Sequence, residues 1–333
     1  MRSPWLYSLP FLSGCHLFAS GVIECTLEGP PSCFPEADAD TDTDTDTDTD
    51  TDTDTDAPEA LSRGYVWSFT TEDAWWAQAF GPPDGDLQIN RTGELDPETP
   101  DLAGPAAYDA ATDAIAVAPA GGLVYLLRAS SASTPTQFFK TGVDTVQHIT
   151  VLDGVIYLSS GAQLLRVDPD SGLGVETLVV GDPDGAPTYT VASMGPIFAA
   201  DGGIYIFAVD GAGNYEAYFY SPSQDKASIL AEDFGAYTEG RLVDAFLGPD
   251  QLPWVCSEHG ALIDVAGISS GSGVPISPAD LENVLTCGWD DSLGEFLIIS
   301  ATSGLHRVTD DGTTALVAAP DEDKFTIAGA GLY

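Results

Sequence analysis

Short apolar runs separated by glycine, aspartate and proline fill the chain from Tyr65 onward. Within these runs apolar and polar residues alternate with a period of two, which is typical of β-strands with one buried face. One unit is explicit: residues 149–152 lead through Asp153-Gly154 into residues 155–158. An Asp-Gly pair between two alternating runs favours a tight hairpin turn. No stretch shows sustained helical periodicity, so the pattern predicts an all-β body.

The hairpin unit recurs at a nearly constant interval. Its first turn is marked by aspartates at positions 40, 48, 49 and 41 residues apart, namely Asp113, Asp153, Asp201, Asp250 and Asp291. Second apolar hairpins, each preceded by a glycine, begin at Leu123, Leu164, Leu262 and Leu305. A repeat of about 40–50 residues with four strands is typical of a β-propeller blade.

The two ends of the body supply the remaining strands. Residues 64–103 hold three further strands, and residues 325–328 hold a single one. A C-terminal strand that completes an N-terminal blade closes the ring and removes the unpaired sheet edges. We therefore expect a six-bladed β-propeller over residues 62–333. Seven blades, or an irregular pair of β-sandwiches, are the alternatives.

The first 14 residues have the features of a signal peptide. Arg2 precedes an apolar run over residues 4–12, which is too short to span a bilayer, and small residues follow it. Leu12-Ser13-Gly14-Cys15 resembles the lipobox of bacterial lipoproteins. This resemblance implies that residues 1–14 are removed and that Cys15 carries lipid.

The N-terminal sequence is also compatible with two further fates of the chain. One is plain secretion with cleavage after Gly21, and the second is an uncleaved anchor over residues 5–23. All three fates place the protein outside the cytoplasm. His16, rather than aspartate, follows Cys15, and by the enterobacterial sorting pattern this implies the outer membrane or cell surface.

Residues 15–61 are expected to form a cysteine-containing segment followed by a linker. Residues 38–56 contain ten aspartates and no base, and eight Thr-Asp repeats run to Asp56. Such a tract cannot bury a core and repels itself, so we expect an extended, disordered spacer. Weak Ca²⁺ binding and O-glycosylation of the threonines are alternative roles for the tract. The tract lacks the fixed ligand geometry of a calcium loop.

The chain contains five cysteines, an odd number. If Cys15 takes lipid, four remain for the disulfides that exported proteins often keep. Cys25 and Cys33 lie eight residues apart, which favours a small closed loop, and Cys256 would then pair with Cys287. Free buried thiols are the alternative.

Charge excludes two classes of partner. The sequence holds 52 Asp and Glu against 10 Lys and Arg, and its formal net charge is −42. The tract supplies −10 of this, and residues 57–333 supply −30. Nucleic-acid binding needs clustered basic residues, and anionic membrane surfaces repel such a protein. The sequence therefore predicts no nucleic-acid partner and a membrane contact only through the lipid.

The propeller body resembles bacterial propellers of the NHL-repeat and gluconolactonase-like superfamilies over about 270 residues. In gluconolactonase-like proteins, acidic and amide side chains from several inner strands hold a divalent ion. Acids and amides near strand starts here are Asp144, Glu239, Asp244 and Asn283. They do not match that family's pattern residue by residue, so no metal site is assigned. The alternation over residues 210–216 resembles a calcium loop, but the Asp, Gly and Asn residues there are also typical of an ordinary turn, which we favour.

Four residues are candidates for ligand binding. Trp75 and Trp76 are adjacent on a predicted strand and therefore face opposite sides, so that one ring is free to stack on a sugar or peptide. His148 and Asp244 lie on predicted inner strands. No catalytic residue is predicted, because the nucleophile, phosphate-loop and zinc motifs are missing.

These features predict an exported module that binds an unidentified extracellular protein, glycan or envelope component. The alternative is a divalent-metal-dependent hydrolase or lactonase of the gluconolactonase type. Ca²⁺ is the one cofactor that the acidic sequence suggests, and only weakly.

Overall fold

Six antiparallel β-sheets are arranged as the blades of a β-propeller. The computed structural model describes residues 61–333 apart from 83–84, 96–100, 129–136, 172–173, 179, 181–190, 233–240, 266–274, 279–280 and 323. The predicted six-bladed all-β architecture is confirmed, and the seven-bladed alternative is wrong. No helix in these ranges is long and apolar enough to cross a bilayer.

The first three blades follow one another along the chain. Blade 1 consists of the C-terminal strand β23 (Thr326–Leu332), then β1 (Tyr65–Thr70), β2 (Ala74–Gly81) and β3 (Asp86–Glu94). Blade 2 consists of β4 (Ala106–Asp109), β5 (Ala114–Val117), β6 (Leu123–Arg128) and β7 (Gln137–Lys140). Blade 3 consists of β8 (His148–Leu152), β9 (Val155–Ser160), β10 (Gln163–Val167) and β11 (Val175–Leu178).

The other three blades complete the ring. Blade 4 consists of β12 (Val191–Ala200), β13 (Gly203–Asp210), β14 (Tyr215–Ser221) and β15 (Lys226–Glu232). Blade 5 consists of β16 (Leu242–Leu247), a 3₁₀ turn (Pro249–Gln251), β17 (Pro253–Ser257) and β18 (Leu262–Asp264). Blade 6 consists of β19 (Val284–Asp290), β20 (Glu295–Ser300), β21 (Gly304–Val308) and β22 (Thr314–Ala318).

The ring is closed by the C-terminal strand, as the sequence predicts. β23 pairs antiparallel with β1 from Tyr65 opposite Leu332 to Thr70 opposite Thr326. The backbones of Gly64 and Tyr333 extend this ladder with two hydrogen bonds of 3.1 and 3.0 Å. β23 also contacts β4 and β19, the inner strands of the two neighbouring blades. Closure therefore pairs the inner edge of the N-terminal strands and completes the wall of the central channel.

The hydrophobic core is divided among the blade interfaces. Each of six apolar clusters joins one blade to the next. Trp67 and Phe69 of blade 1, for example, pack with Leu297 and Ile299 of blade 6. Because both faces of each blade are covered by a neighbour, strands such as Ala114–Val117 are buried at every position. This explains why several strands are continuously apolar instead of alternating.

In three blades the hairpin aspartate adopts the left-handed backbone conformation that the turn requires. Asp113, Asp153 and Asp201 adopt positive φ angles of 49, 51 and 54°. Asn and Asp are the non-glycine residues that tolerate this left-handed region best. In blade 5 the positive φ of 59° lies on Gln251 instead of Asp250, because a 3₁₀ turn replaces the tight hairpin there.

Candidate functional site

Two cavities lie along the central channel, and their walls come from the six inner strands. The larger, of about 240 Å³, lies toward the ends of these strands, where Ala200, Leu247 and Tyr333 line it. The smaller, of about 160 Å³, lies toward their beginnings, where Gln147 and Val284 line it. Asp244 lines both cavities.

The Asp244 carboxylate is held between blades 5 and 6. It accepts hydrogen bonds from the Thr286 hydroxyl, from the Cys287 N–H at 3.1 Å and from the Ala245 N–H at 2.7 Å. Burial raises the pKa of Asp244 to about 6, although these hydrogen bonds act in the opposite direction. The carboxylate is therefore mostly ionised at neutral pH, and no described cation forms an ion pair with it.

Two β-bulges position this contact. The register of blade 5 shifts between Leu242 and Asp244, and that of blade 6 shifts between Val284 and Thr286. A bulge redirects the side chains that follow it. Because the two bulges lie at corresponding points of adjacent inner strands, Asp244 and Thr286 meet across the interface.

His148 lies at the beginning of β8 and lines the smaller cavity together with Arg241 and Asp244. Burial, reinforced by the positive charge of Arg241, lowers the pKa of His148 to about 3, although the backbone of Val243, which belongs to blade 5, acts to raise this pKa. The imidazole is therefore neutral at physiological pH.

Arg63 and two tyrosines line the larger cavity near the other end of the channel. The rings of Tyr108 and Tyr333 lie 4.2 Å apart. Tyr108 donates its hydroxyl to Asp113 at 2.8 Å, and Tyr333 donates to the Phe80 carbonyl at 2.8 Å. Burial and the hydrogen bond to Asp113 raise the pKa of Tyr108 to about 12. Both phenols are therefore neutral.

Ser62, the residue before Arg63, is anchored to blade 6. The Ser62 N–H and hydroxyl donate to the Asp290 carboxylate at 2.8 and 2.7 Å. Asp290 is fully buried at the end of β19. Burial alone would raise the pKa of Asp290, but hydrogen bonds from Ser292 and Ser62 outweigh it and lower that pKa. This anchor ties the segment before β1 to blade 6.

The predicted binding residues fall into two groups. His148 and Asp244 share the smaller cavity, whereas Trp75 and Trp76 on β2 line neither cavity. Trp75 is 4% exposed and packs between blades 1 and 2. Trp76 is half-buried and stacks on Phe69, with a centroid distance of 5.9 Å and an interplanar angle of 5°. A ligand-binding role for Trp76 stays a prediction.

The predicted Cys256–Cys287 disulfide is present and joins blades 5 and 6. Cys287 follows Thr286 and lines the larger cavity, so the covalent link lies beside the Asp244 contact. Cys15, Cys25 and Cys33 lie outside the described residues, and their lipidation and pairing stay predictions.

The described acids considered as metal ligands do not converge on one point. Within the described ranges, no group of three or more His, Cys, Asp and Glu side chains is placed to hold a metal ion. Glu239 lies outside those ranges. Asn283 occupies a turn with a φ of 55°, and Asp210 accepts hydrogen bonds from Ala212 and Asn214 within its own turn. The metal-dependent hydrolase therefore stays a prediction without an assigned site.

One serine–histidine pair escaped sequence reasoning. The Ser303 hydroxyl lies 2.8 Å from His306 Nε2 across the hairpin that joins β20 and β21. The second ring nitrogen, Nδ1, is buried without a hydrogen-bond partner among the described residues, whereas hydrolytic triads use an acid at this position. The hydrogen bond between the two side chains stabilises the hairpin. In the sequence, only the spacing of three positions between Ser303 and His306 indicates that they could meet.

No protein-family model matches the sequence, and no curated protein matches it. Among solved structures, a chain of a nidogen/laminin complex is similar, with a TM-score of 0.57 and 10% identity over 81% of this chain and 98% of that chain. The WD40 propeller domain of Doa1 gives a TM-score of 0.48 at 12% identity, covering 78% of this chain and 87% of that chain. Apo AztD from Citrobacter koseri gives a TM-score of 0.48 at 10% identity, covering 78% of this chain and 84% of that chain. At such identities the first likeness shows the fold alone, which is the β-propeller.

Proposed function

We propose that this chain is an exported β-propeller that acts as a binding module of the cell envelope. In this proposal residues 1–14 are a lipoprotein signal peptide, residues 15–61 tether the protein from lipidated Cys15, and residues 62–333 form the propeller. The Cys256–Cys287 disulfide supports export, since disulfides persist mainly in oxidising compartments outside the cytoplasm. The partner is an extracellular protein, a glycan or another envelope component.

The observation that carries the binding role is the channel. All six blades contribute to the walls of two cavities that place ionisable side chains inside a folded ring. Concave sites at which a few polar side chains converge are typical of ligand binding. The net charge of −42 favours a neutral or basic partner over an anionic one.

Substitution of one cysteine tests the anchor. Cys15→Ser is expected to abolish incorporation of a labelled fatty acid and to move the protein from the membrane to the soluble fraction. Cys25→Ser is the matched control, because it removes a neighbouring thiol and leaves the lipobox intact. Unchanged fractionation of the Cys15→Ser chain would show that the lipoprotein assignment is wrong.

Binding to immobilised glycans, peptides and purified envelope components tests the module itself. We expect one of these classes to give saturable binding by the full chain, and Asp244→Asn to weaken it. Asp144→Asn is the control, since Asp144 is exposed and lines neither cavity. The absence of saturable binding to all three classes would contradict the proposal.

A further inference from the structure

The outermost strand of blade 6, β22, presents an apolar surface at the edge of its sheet. It is the last strand in the order β19-β20-β21-β22, and no strand of the described residues pairs with its outer side. Ala315, Leu316 and Val317 are all exposed, and Leu316 reaches 60% exposure. The backbone N–H and C=O groups along such an edge are a template for pairing with another chain.

β22 lacks the charge that protects the other sheet edges. Edge strands usually carry charged side chains, which discourage pairing with foreign strands. Among the described residues, the last strand of each of the other five blades contains at least one charged residue, namely Arg91 in β3, Lys140 in β7, Glu176 in β11, Lys226 in β15 and Asp264 in β18. The sequence of β22, Thr-Ala-Leu-Val-Ala, contains none.

A β-bulge protects only one end of β22. The register against β21 shifts so that Val317 has no partner on that strand. Bulges at sheet edges hinder pairing with further strands. Thr314, Ala315 and Leu316, which precede the bulge, keep a regular register with β21. This part of the edge is therefore open to one additional strand.

Exposed acids flank β22 on both sides. Asp310 and Asp311 precede the strand, and Asp321 and Glu322 follow it. The two cations closest to β22 in the sequence do not offset them, because each has its own carboxylate: Arg307 pairs with Glu295 at 2.7 Å, and Lys324 pairs with Glu72 at 3.1 Å. The edge is therefore apolar in its centre and negative at both ends.

This charge pattern disfavours a second copy of the chain as the occupant. In antiparallel pairing of two β22 strands centred on Leu316, Asp310 and Asp311 of one chain would face Glu322 and Asp321 of the other. Like charges directly opposite each other destabilise strand pairing. A complementary strand instead carries basic residues at both of its ends.

We infer that β22 binds an extended peptide of another protein by β-augmentation, and that this peptide has an uncharged, β-branched centre between basic ends. Backbone hydrogen bonds to the edge supply affinity, and contacts with Leu316 and the flanking acids supply specificity. β22 lines neither cavity of the channel. The surface therefore goes beyond the proposed function, and a result at this edge is independent of binding in the channel.

Fluorescence anisotropy of the labelled peptide KKTVTVTKK, titrated with the full chain at low ionic strength, tests this surface. We expect saturable binding, together with slower hydrogen exchange of amides within residues 314–318. EETVTVTEE should bind at least about tenfold more weakly because its ends are repelled. KKTVPVTKK should lose at least as much, because proline removes a backbone donor from the centre of the added strand.

A substitution in the centre of β22 tests the position of the site. Leu316→Lys places a cation against the basic peptide and should weaken KKTVTVTKK binding at least about tenfold. Leu230→Lys is the matched control, because Leu230 is 48% exposed on the outer strand of blade 4. It should leave the affinity unchanged.

Neutralisation of one acid at each end of β22 tests the charge requirement. Asp310→Asn/Asp321→Asn should weaken KKTVTVTKK binding, and the loss should shrink as salt is added. Asp86→Asn/Asp170→Asn removes the same charge from exposed positions of blades 1 and 3 and should not weaken binding comparably.

Four results would overturn the inference. They are no binding of KKTVTVTKK, equal binding of KKTVPVTKK, unchanged affinity in Leu316→Lys, and exchange protection that lies outside β22. Sedimentation gives a further test of the occupant. Dimerisation of the wild-type chain that Leu316→Lys abolishes would assign the edge to a second copy and would equally overturn the inference.

Discussion

Asp244 of blade 5 accepts a hydrogen bond from the hydroxyl of Thr286 in blade 6, and the disulfide that joins the same two blades begins at the next residue, Cys287. Blade 5 has the shortest outer strand among the described residues: β18 spans three residues, and a single bridge between Leu262 and Ile276 continues the sheet. The polar contact and the disulfide thus reinforce the interface of the least complete sheet.

Removal of the disulfide should lower the free energy of unfolding. Cys256 and Cys287 are separated by 31 positions, for which loop-closure entropy gives a loss of about 3–4 kcal/mol. Urea unfolding of the Cys256→Ser/Cys287→Ser variant measures this loss. Dithiothreitol should lower wild-type stability similarly and leave the variant unchanged. A variant as stable as the oxidised wild type would refute the expectation.

Ring closure should depend on the buried side of β23. Ile327 is 1% exposed and packs between blades 6 and 1. Ile327→Ala should therefore cost about 2–5 kcal/mol of unfolding free energy in denaturant titration. Thr326→Ala, at the exposed neighbouring position, should stay within about 0.5 kcal/mol of wild type. Equal effects of the two substitutions would show that burial of β23 is not what stabilises closure.

The hairpin of blade 3 should require glycine at one position. Gly154 has a φ of 80°, and a Cβ there would meet no atom closer than 4.0 Å. Gly154→Ala should therefore cost about 1–2 kcal/mol through backbone strain alone. Gly211→Ala is the control, since Gly211 lies in an open turn without a positive φ. A neutral Gly154→Ala measured by thermal unfolding would contradict the turn geometry.

His148 should make stability fall at acidic pH. Its pKa is about 3 in the folded chain, against an ordinary value of 6.5, so below pH 6.5 the unfolded chain binds a proton that the folded chain does not. Between pH 7 and pH 5 the loss is on the order of 2 kcal/mol. His148→Gln, which replaces the imidazole with a polar side chain that does not titrate, should remove this loss.

Asp244 has the opposite effect on the pH dependence of stability over part of the same pH range. Its pKa is raised from 3.8 to about 6, so the folded chain binds a proton first and gains stability as the pH falls from 6 to 3.8. Because Asp244 is present in both proteins, the difference between wild type and His148→Gln isolates the histidine. An identical pH dependence in urea unfolding at pH 7 and 5 would exclude the assigned role of His148.

The architecture was predictable because it depends on local patterns that repeat. The Asp153-Gly154 hairpin and the alternation around it are legible in one segment, and repetition of that unit indicates a propeller blade. Ring closure was predictable because residues 325–328 form an apolar run without a partner of their own. The turn of blade 5 was not predictable. Asp250 suggests the same hairpin as in the other blades, whereas the backbone places Gln251 at the positive φ.

The candidate site was only partly predictable. Asp244 and His148 were selected because they lie on inner strands, and they share a cavity. Arg63 was missed, because it precedes the first strand and reaches the channel only through the Ser62–Asp290 contact, which joins residues 228 positions apart. Trp76 was prominent in the sequence, but a neighbouring blade and Phe69 cover much of its surface.

The pairing of β23 with β1 sets an order on the assembly of the protein. During synthesis the strands Tyr65–Thr70, Ala74–Gly81 and Asp86–Glu94 emerge first, and the strand that completes their sheet emerges after the other five blades. Ala330, Gly331 and Leu332 of that strand also line the larger cavity. A chain interrupted before β23 therefore has neither a closed ring nor a complete cavity, so a ligand held in the channel would distinguish finished molecules from unfinished ones.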